Sequence, residues 1–246
     1  MKISIVTAVY NRVDCIAHAV GSVQRQTHAD IEHVVVDGAS TDGTLDVLQR
    51  CLDDRAVLVS EPDQGIYDAL NKGLGRSTGE VVGFLHSDDF YADDSVLAEV
   101  AQTFADPDMD AVYGDLEYVA RGDINRVVRR WRSGSYSRDR LAWGWMPPHP
   151  TLFLRRRVID TWGGFDTRYR IAADYDAVLR YFGRAGIRVG YIPRVLVKMR
   201  VGGASNRTLV QLLRKSREDY LALRRNGIGG VGALLWKNLS KIGQFI

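Results

Sequence analysis

Short β-branched runs alternating with stretches of helical periodicity predict an α/β fold, a mostly parallel central sheet flanked by helices. The run Ile3–Val9 reads as a strand buried on both faces, and Val13, Ile16, Ala17, Val20 and Val23 then fall at helical spacing. Acidic residues recur where such strands end: Asp37 after the second and Asp88-Asp89 after the fourth. In an open α/β sheet that edge holds the ligand crevice.

The first helix is expected over Val13–Gln26 and the second strand over Ile31–Val36, ending in Asp37-Gly38. Ser40-Thr41-Asp42-Gly43-Thr44 supplies turn and cap residues ahead of a helix over Leu45–Leu52. Asp42 reads equally as a cap and as a ligand. A strand over Ala56–Ser60, a helix over Ile66–Leu74 and a strand over Glu80–His86 complete the first half. Beyond Asp89 the rhythm changes, with a helix over Ser95–Phe104 and an antiparallel pair from Ala111–Val119 and Arg126–Trp131. Ser133–Pro150 reads as loop, rich in Gly, Ser, Trp and Pro. A strand over Thr151–Leu154, a helix from Ala173 to Arg184, a strand over Arg188–Ile192 and a basic helix over Asn206–Asn226 follow. No flexible linker or internal repeat interrupts the 246 residues. One domain over residues 1–205 with a helical extension over 206–246 is expected.

Composition excludes several classes. With 46% apolar and 26% charged residues the chain is an ordinary globular sequence, not a disordered tail, a collagen-like repeat or a coiled coil. Two cysteines, Cys15 and Cys51, make neither a disulfide framework nor a four-ligand zinc site, so a cytoplasmic protein is expected. The N-terminal apolar run turns polar at Asn11-Arg12, too early for a signal peptide, and no run is long enough to span a bilayer. Net charge is only +3, yet from Arg194 onward eleven basic residues face two acids, which leaves an acidic body with a basic tail. Such a tail fits anionic lipid, nucleic acid or a solvated helix face. Ala233-Leu234-Leu235-Trp236, Leu239, Ile242 and Phe245-Ile246 alternate with Lys237 and Lys241 in the manner of a membrane-surface helix or of one packed on the body.

The first strand–helix turn, Thr7-Ala8-Val9-Tyr10-Asn11-Arg12, contains no glycine, and no Gly-rich lysine-bearing loop occurs elsewhere. A dinucleotide-dependent dehydrogenase and a P-loop NTPase are therefore disfavoured. The five histidines lack metal-ligand spacing, which disfavours a zinc hydrolase. Asp88 and Asp89 repel one another unless a cation or a donor lies between them. A hard divalent ion shared with phosphate oxygens explains such a pair.

The chain resembles family 2 glycosyltransferases, whose fold is usually called GT-A. The resemblance rests on Ser4–Asn11, Val36-Asp37-Gly38-Ala39-Ser40-Thr41-Asp42-Gly43-Thr44, Asp63-Gln64-Gly65-Ile66-Tyr67-Asp68-Ala69-Leu70-Asn71-Lys72-Gly73 and Phe84-Leu85-His86-Ser87-Asp88-Asp89, in that order. It continues through Pro148-His149-Pro150-Thr151 and Ala172-Ala173-Asp174-Tyr175-Asp176. The most similar subgroup assembles bacterial surface polysaccharides of the O-antigen and colanic-acid type.

The resemblance implies an inverting transferase that moves a sugar from a nucleoside-diphosphate donor to a hydroxyl of a glycan or lipid-linked glycan. It implies that Thr7, Ala8, Tyr10 and Arg12 line the nucleotide, with Asp37 accepting from the base edge. Asp68 and Lys72, one helical turn apart, are placed near the nucleotide, or else form an ordinary surface ion pair. Asp88 is placed on the ribose side and Asp89 on a divalent cation, Mn²⁺ or Mg²⁺. His86 departs from the Asn or Asp common at its position. Trp143, Trp145 and His149 read either as acceptor contacts or as loop packing, with Trp145 and His149 the preferred acceptor residues. Asp174 is the expected general base, because the usual Glu-Asp pair is here Ala173-Asp174; Asp176 is its competitor. The expected site of action is the cytoplasm, with a peripheral station at the inner face of the plasma membrane as one reading of the tail. A nucleotidyltransferase lacks its signature loop here, and a nucleic-acid-binding module leaves the acidic crevice unexplained, so nucleic acid is not an expected partner.

Overall fold

The computed structural model describes residues 1–202 and 209–239. In chain order these form β1 (Ile3–Val9), α1 (Ile16–Gln24), β2 (Ile31–Asp37), α2 (Thr44–Cys51), β3 (Ala56–Ser60), α3 (Ile66–Arg76) and β4 (Val81–Phe84). They continue with β5 (Asp89–Tyr91), α4 (Val96–Thr103), β6 (Ala111–Ala120), β7 (Asp123–Trp131), α5 (Arg138–Ala142), a 3-10 turn over His149–Thr151, β8 (Phe153–Arg155) and α6 (Arg156–Trp162). The chain then makes α7 (Ala173–Phe182), β9 (Val189–Arg200), α8 (Leu209–Asn226) and α9 (Val231–Leu239).

The strands form one sheet in the order β3-β2-β1-β4-β8-β6-β9-β5, with β7 added to β6. From β3 to β4 every pairing is parallel, as the strand–helix alternation predicts. Beyond β4 the sheet is mixed: β8 is antiparallel to β4 and β6, β9 is parallel to β6, and β5 is antiparallel to β9. All seven residues of β1 and of β2 are buried, as expected of strands covered on both faces. Edge strand β7 alternates exposed and half-buried positions and carries Arg126, Arg129 and Arg130, which blunts it against pairing with another chain.

Three differences from the sequence reading have local causes. β9 runs to Arg200, not Ile192: Pro193 has no N–H for the ladder, and the strand crosses it with a register shift opposite Asp115. Thr151 belongs to the 3-10 turn, because its hydroxyl bonds the carbonyls of Pro148 and Gly114, so β8 starts two residues later. The short elements β5, α5 and α6 are too brief to show a period.

Helix α3 lies directly on β1. A Cβ on Gly73 would collide with the Val6 side chain, so this contact depends on glycine. The largest apolar cluster joins β1, β2, β4 and β6 to α3, α7 and α8 through Val6, Val36, Leu70, Phe84, Tyr113, Tyr175 and Phe182. Because Val9 pairs with Asp37 and Val6 with Phe84, the carboxyl ends of β1, β2 and β4 open at one edge. That edge gathers residues 10–12, 37–40 and 86–89.

Candidate active site

Asp37 ends β2 and is fully enclosed. One carboxylate oxygen accepts from the Ser40 hydroxyl at 2.5 Å; the other accepts from the Ser40 N–H at 3.1 Å and the Ser60 hydroxyl at 2.7 Å. This differs from the expected contact with a nucleotide base: Asp37 builds the turn. The turn is strained, since Ala39 takes φ 60° and Asn11 φ 51°, left-handed values that a Cβ disfavours. Asn11 ties the two turns together, its N–H bonding the Ser40 hydroxyl at 2.8 Å and its side-chain oxygen accepting from the Thr41 N–H at 2.9 Å. Asp42 ties the turn ahead of α2 to the first loop, accepting from the Thr44 N–H at 3.0 Å and the Val13 N–H at 3.2 Å, while Gly43 holds the N-cap position.

Thr7 also differs from expectation. Its side chain is fully buried and bonds His33 at 3.0 Å, so only its backbone neighbours the crevice. Ala8 is buried as well, whereas Tyr10 is 56% exposed and Arg12 is half-buried, its guanidinium bonding the Asn11 carbonyl. Burial holds the His33 imidazole down at about 4, and therefore neutral.

A carboxylate that sequence reasoning left without a role lies beside Tyr10. A Cβ on Gly38 would collide with the Asp63 carboxylate and touch the Tyr10 ring, so Tyr10, Gly38 and Asp63 lie side by side at this edge. Asp63 also accepts from the Gly65 N–H at 2.7 Å. Asp68 and Lys72 hold this loop: Asp68 accepts from the Gln64 N–H at 3.0 Å, and Lys72 bonds the Pro62 carbonyl at 2.8 Å and Glu61 at 3.2 Å. Their own separation is 3.5 Å, the surface ion pair weighed above.

The acidic pair divides in two. Asp88 is half-buried, while Asp89, the first residue of β5, is fully buried with both oxygens lacking a hydrogen-bond partner. Burial, reinforced by the Asp88 charge, pushes the Asp89 carboxyl well above the usual range. A cation was invisible to pattern reading here. Arg200, at the end of β9, donates to the Asp88 carbonyl at 2.8 Å, meets His18 at 3.0 Å and lies over the Phe90 ring. Among the described residues no three His, Cys, Asp or Glu side chains converge as a metal site. A cation that takes phosphate oxygens needs only one or two carboxylates, and the unpartnered oxygens of Asp89 suit that donor set.

Asp174 sits in the first turn of α7. One carboxylate oxygen accepts from the Tyr175 N–H at 2.8 Å and from the Tyr67 hydroxyl at 3.3 Å. Tyr67 also donates to the Ile171 carbonyl at 2.7 Å. Asp174 and Asp88 both act electrostatically on His86, favouring its charged form while burial pulls its pKa down. His86 lies 5.6 Å from His149, ring centre to ring centre, and His149 stacks on Phe84 at 5.1 Å and meets Phe165 edge-on. Burial holds His149 at about 3, hence neutral, with its Nε2 unpartnered. Asp176 is buried elsewhere, bound to Arg180 at 3.2 Å and Asn226 at 3.0 Å. Trp145 differs from its expected acceptor role. Its indole N–H bonds the Ser133 carbonyl at 2.8 Å and its ring packs among Tyr113, Tyr136 and Phe182. The exposed tryptophan of that loop is Trp143, at 59%.

The tail is drawn inward in its described part. Lys237 of α9 is 3% exposed, 3.0 Å from Asp219 and over the Tyr175 ring, while Lys215 pairs with the same Asp219 at 2.7 Å. Lys241, Ile242 and Phe245-Ile246 lie outside the described residues. No helix among the described residues is long and apolar enough to cross a membrane.

A sheet that is parallel from β3 to β4 and mixed beyond, with helices packed on it and acidic residues at the carboxyl ends of its parallel strands, is the fold of a GT-A glycosyltransferase. The chain belongs to glycosyl transferase family 2, whose model matches residues 4–163. A PGL/p-HBAD biosynthesis glycosyltransferase of Mycobacterium bovis is 34% identical over 212 residues, covering 84% of this chain and 80% of that protein. An uncharacterized glycosyltransferase of Mycobacterium tuberculosis is 31% identical over 188 residues, 72% of this chain and 68% of the other. Among solved structures, S. aureus TarS 1–349 in complex with UDP-GlcNAc superimposes with a TM-score of 0.71 at 18% identity, over 93% of this chain and 66% of that one. The same residues span 39% of a longer TarS chain. A mannosyltransferase of Pyrobaculum calidifontis with GDP-Man and Mn²⁺ gives 0.67 at 20% identity, over 93% of this chain and 65% of that one. The protein is a glycosyltransferase.

Proposed function

We propose that the protein transfers a sugar from a nucleoside-diphosphate donor, with inversion, to a hydroxyl of a surface-glycan or lipid-linked acceptor. One observation carries this reading. Asp174 stands at the start of α7, shares the His86 neighbourhood with Asp88, and is tied by Tyr67 to the helix behind the Asp63 loop. The nucleotide base lies against the Tyr10–Gly38–Asp63 cluster, where the acceptor-only carboxylate of Asp63 takes an N–H of the base edge. The diphosphate then runs towards Asp88, with Arg200 as the nearby cation.

Asp174 removes the proton of the acceptor hydroxyl as its oxygen bonds the anomeric carbon, and the bond from that carbon to the diphosphate oxygen breaks. The nucleoside diphosphate departs with the electron pair. Asp89, beside Asp88, would hold a divalent cation, which supplies charge neutralisation for the leaving diphosphate. Neutral His149, wedged between Phe84 and Phe165, closes the floor between donor and acceptor sides. The mycobacterial relatives' role in PGL/p-HBAD biosynthesis and the sugar nucleotides bound by the structural neighbours support this substrate class. Pairing of Lys215 and Lys237 with Asp219 takes two charges away from any nucleic-acid or membrane-binding face.

A thermal-shift panel of UDP- and GDP-sugars, with and without Mn²⁺ or Mg²⁺, tests the reading. One sugar nucleotide should raise the midpoint selectively, and more so with the ion, because a ligand that binds only the folded state stabilises it by linkage. No selective shift with any donor would contradict it.

A further inference from the structure

Helix α7 begins with N–H groups that no intrahelical carbonyl can satisfy. The caps observed are unusual. Ala172, at the N-cap position, offers no side-chain acceptor; Asp174 itself accepts from the Tyr175 N–H of the first turn, and the N–H groups of Ile171 and Ala172, leading into the helix, are taken by another element. Glu218 of α8, 47 and 46 residues downstream of them, accepts at one oxygen from the N–H groups of Ile171 at 2.8 Å and Ala172 at 3.1 Å. Glu218 is itself 9% exposed, and no ion pair to it is found among the described residues.

The same two peptide units lead directly into the base. The Ile171 carbonyl accepts from Tyr67, and Tyr67 also donates to Asp174. Position 171 is thus held from both sides, by Tyr67 on α3 and by Glu218 on α8, three residues before Asp174. Two further bonds register α8 against α7: Asn226 donates to Asp176, and the Asp219–Lys237 pair lies under the Tyr175 ring. The family model ends at residue 163, so Glu218, the Ile171–Ala172 backbone and Asp174 all lie in chain beyond it, and only Tyr67 lies within it.

We propose that Glu218 is a positioning residue for the transfer step: by gripping the Ile171–Ala172 backbone it fixes the direction in which the Asp174 carboxylate meets the acceptor hydroxyl. The C-terminal extension is in this sense part of the active site. The inference rests on Asp174 being the general base. Glu218 touches neither donor nor acceptor, so its removal acts on turnover and leaves donor binding alone. A shift of an ångström in a reacting group lowers turnover by roughly 10- to 100-fold.

The test compares Glu218→Ala, Glu218→Asp, Glu218→Gln and Asp174→Asn in the full chain. Turnover is read as nucleoside diphosphate released from UDP- and GDP-sugars offered in turn, with donor affinity by calorimetry and melting temperature measured separately. Glu218→Asp keeps the charge but withdraws the acceptor, and Glu218→Gln keeps an acceptor oxygen at full reach. The expected result is a loss of roughly 10- to 100-fold in kcat for Ala and Asp, unchanged donor affinity, and recovery of most turnover in Gln. Hydrogen exchange in the 165–176 segment should rise in Ala and Asp and not in Gln. Wild-type kcat in a folded Glu218→Asp, while Asp174→Asn is inactive, overturns the positioning role and leaves the base in place. Parallel loss of kcat, donor affinity and melting temperature in every Glu218 variant shows a merely structural cap and also overturns it. Near-normal turnover in Asp174→Asn removes the base reading, and this inference with it.

Discussion

The Tyr67 hydroxyl on α3 shares its one proton between the Ile171 carbonyl at 2.7 Å and the Asp174 carboxylate on α7 at 3.3 Å, the second contact joining residues 107 apart in sequence. Burial and the Asp174 charge push the phenol well above its ordinary pKa, so Tyr67 remains a donor throughout the working range. Tyr67→Phe removes the bond while the ring still packs on Phe165. It should lower kcat by about tenfold and stability by about 1 kcal/mol. Turnover and melting temperature measured together check this; unchanged kcat would show that the bond does not orient the carboxylate.

Gly38→Ala addresses the donor side. The added Cβ displaces Asp63 from beside Tyr10, with the strands beneath untouched. Donor affinity should fall by about tenfold or more, the scale of losing a hydrogen bond to a charged group. Asp63→Asn should fall similarly. Calorimetry with the sugar nucleotide selected by thermal shift reads both, and wild-type affinity in both variants would place the base elsewhere.

The carboxylate pair gives a third expectation. Asp89→Asn removes the charge of the two unpartnered oxygens but keeps the shape, so the fold should survive. The increase in donor affinity produced by Mn²⁺ should disappear. Titrations with and without the ion distinguish the cases, and an undiminished Mn²⁺ effect would remove Asp89 from the cation.

Acid stability follows from two groups far from the chemistry. His33 has its pKa lowered to about 4 by burial, so its contribution is complete above about 6.5 and is lost as pH falls towards 4. Burial alone would raise the Glu32 carboxyl, but hydrogen bonds from Ser4, Thr78 and Lys2 outweigh it and hold the group at about 2. Its contribution, on the order of 2–3 kcal/mol, is present above about 4.5 and is lost as pH falls towards 2. Chemical denaturation from pH 8 to pH 3 should show two successive losses. Glu32→Gln should diminish the lower one, which Asp219 and other paired carboxylates also feed, and spare the upper.

The first half of the fold was legible because buried parallel strands are apolar on both faces and their helices are amphipathic. Ile3–Val9 and Ala56–Ser60 occur as read from the sequence. β5 escaped because three residues carry no period, and Arg200 escaped because Pro193 reads as a strand end. Motif spacing located the crevice but not the direction of its side chains. Thr7 turns inward to His33, Asp37 is consumed by Ser40 and Ser60, and Trp145 closes on Tyr113. Those orientations depend on partners distant in sequence, which local pattern does not encode.

Asp174 and Asp176 share one helical turn and face opposite circumstances. Asp174 is half-buried beside Tyr67, while Asp176 is locked to Arg180 and Asn226. Asp174→Asn keeps the shape and removes the proton acceptor, so kcat should fall by about 10²- to 10⁴-fold with donor affinity nearly unchanged. Asp176→Asn should instead cost about 1–3 kcal/mol of stability, through a weakened buried ion pair, and little turnover. Steady-state kinetics on the two variants, with donor binding measured separately, is the most direct test of the account. Collapse of turnover in Asp174→Asn alone is the predicted result; near-normal turnover there, or collapse only in Asp176→Asn, would contradict it.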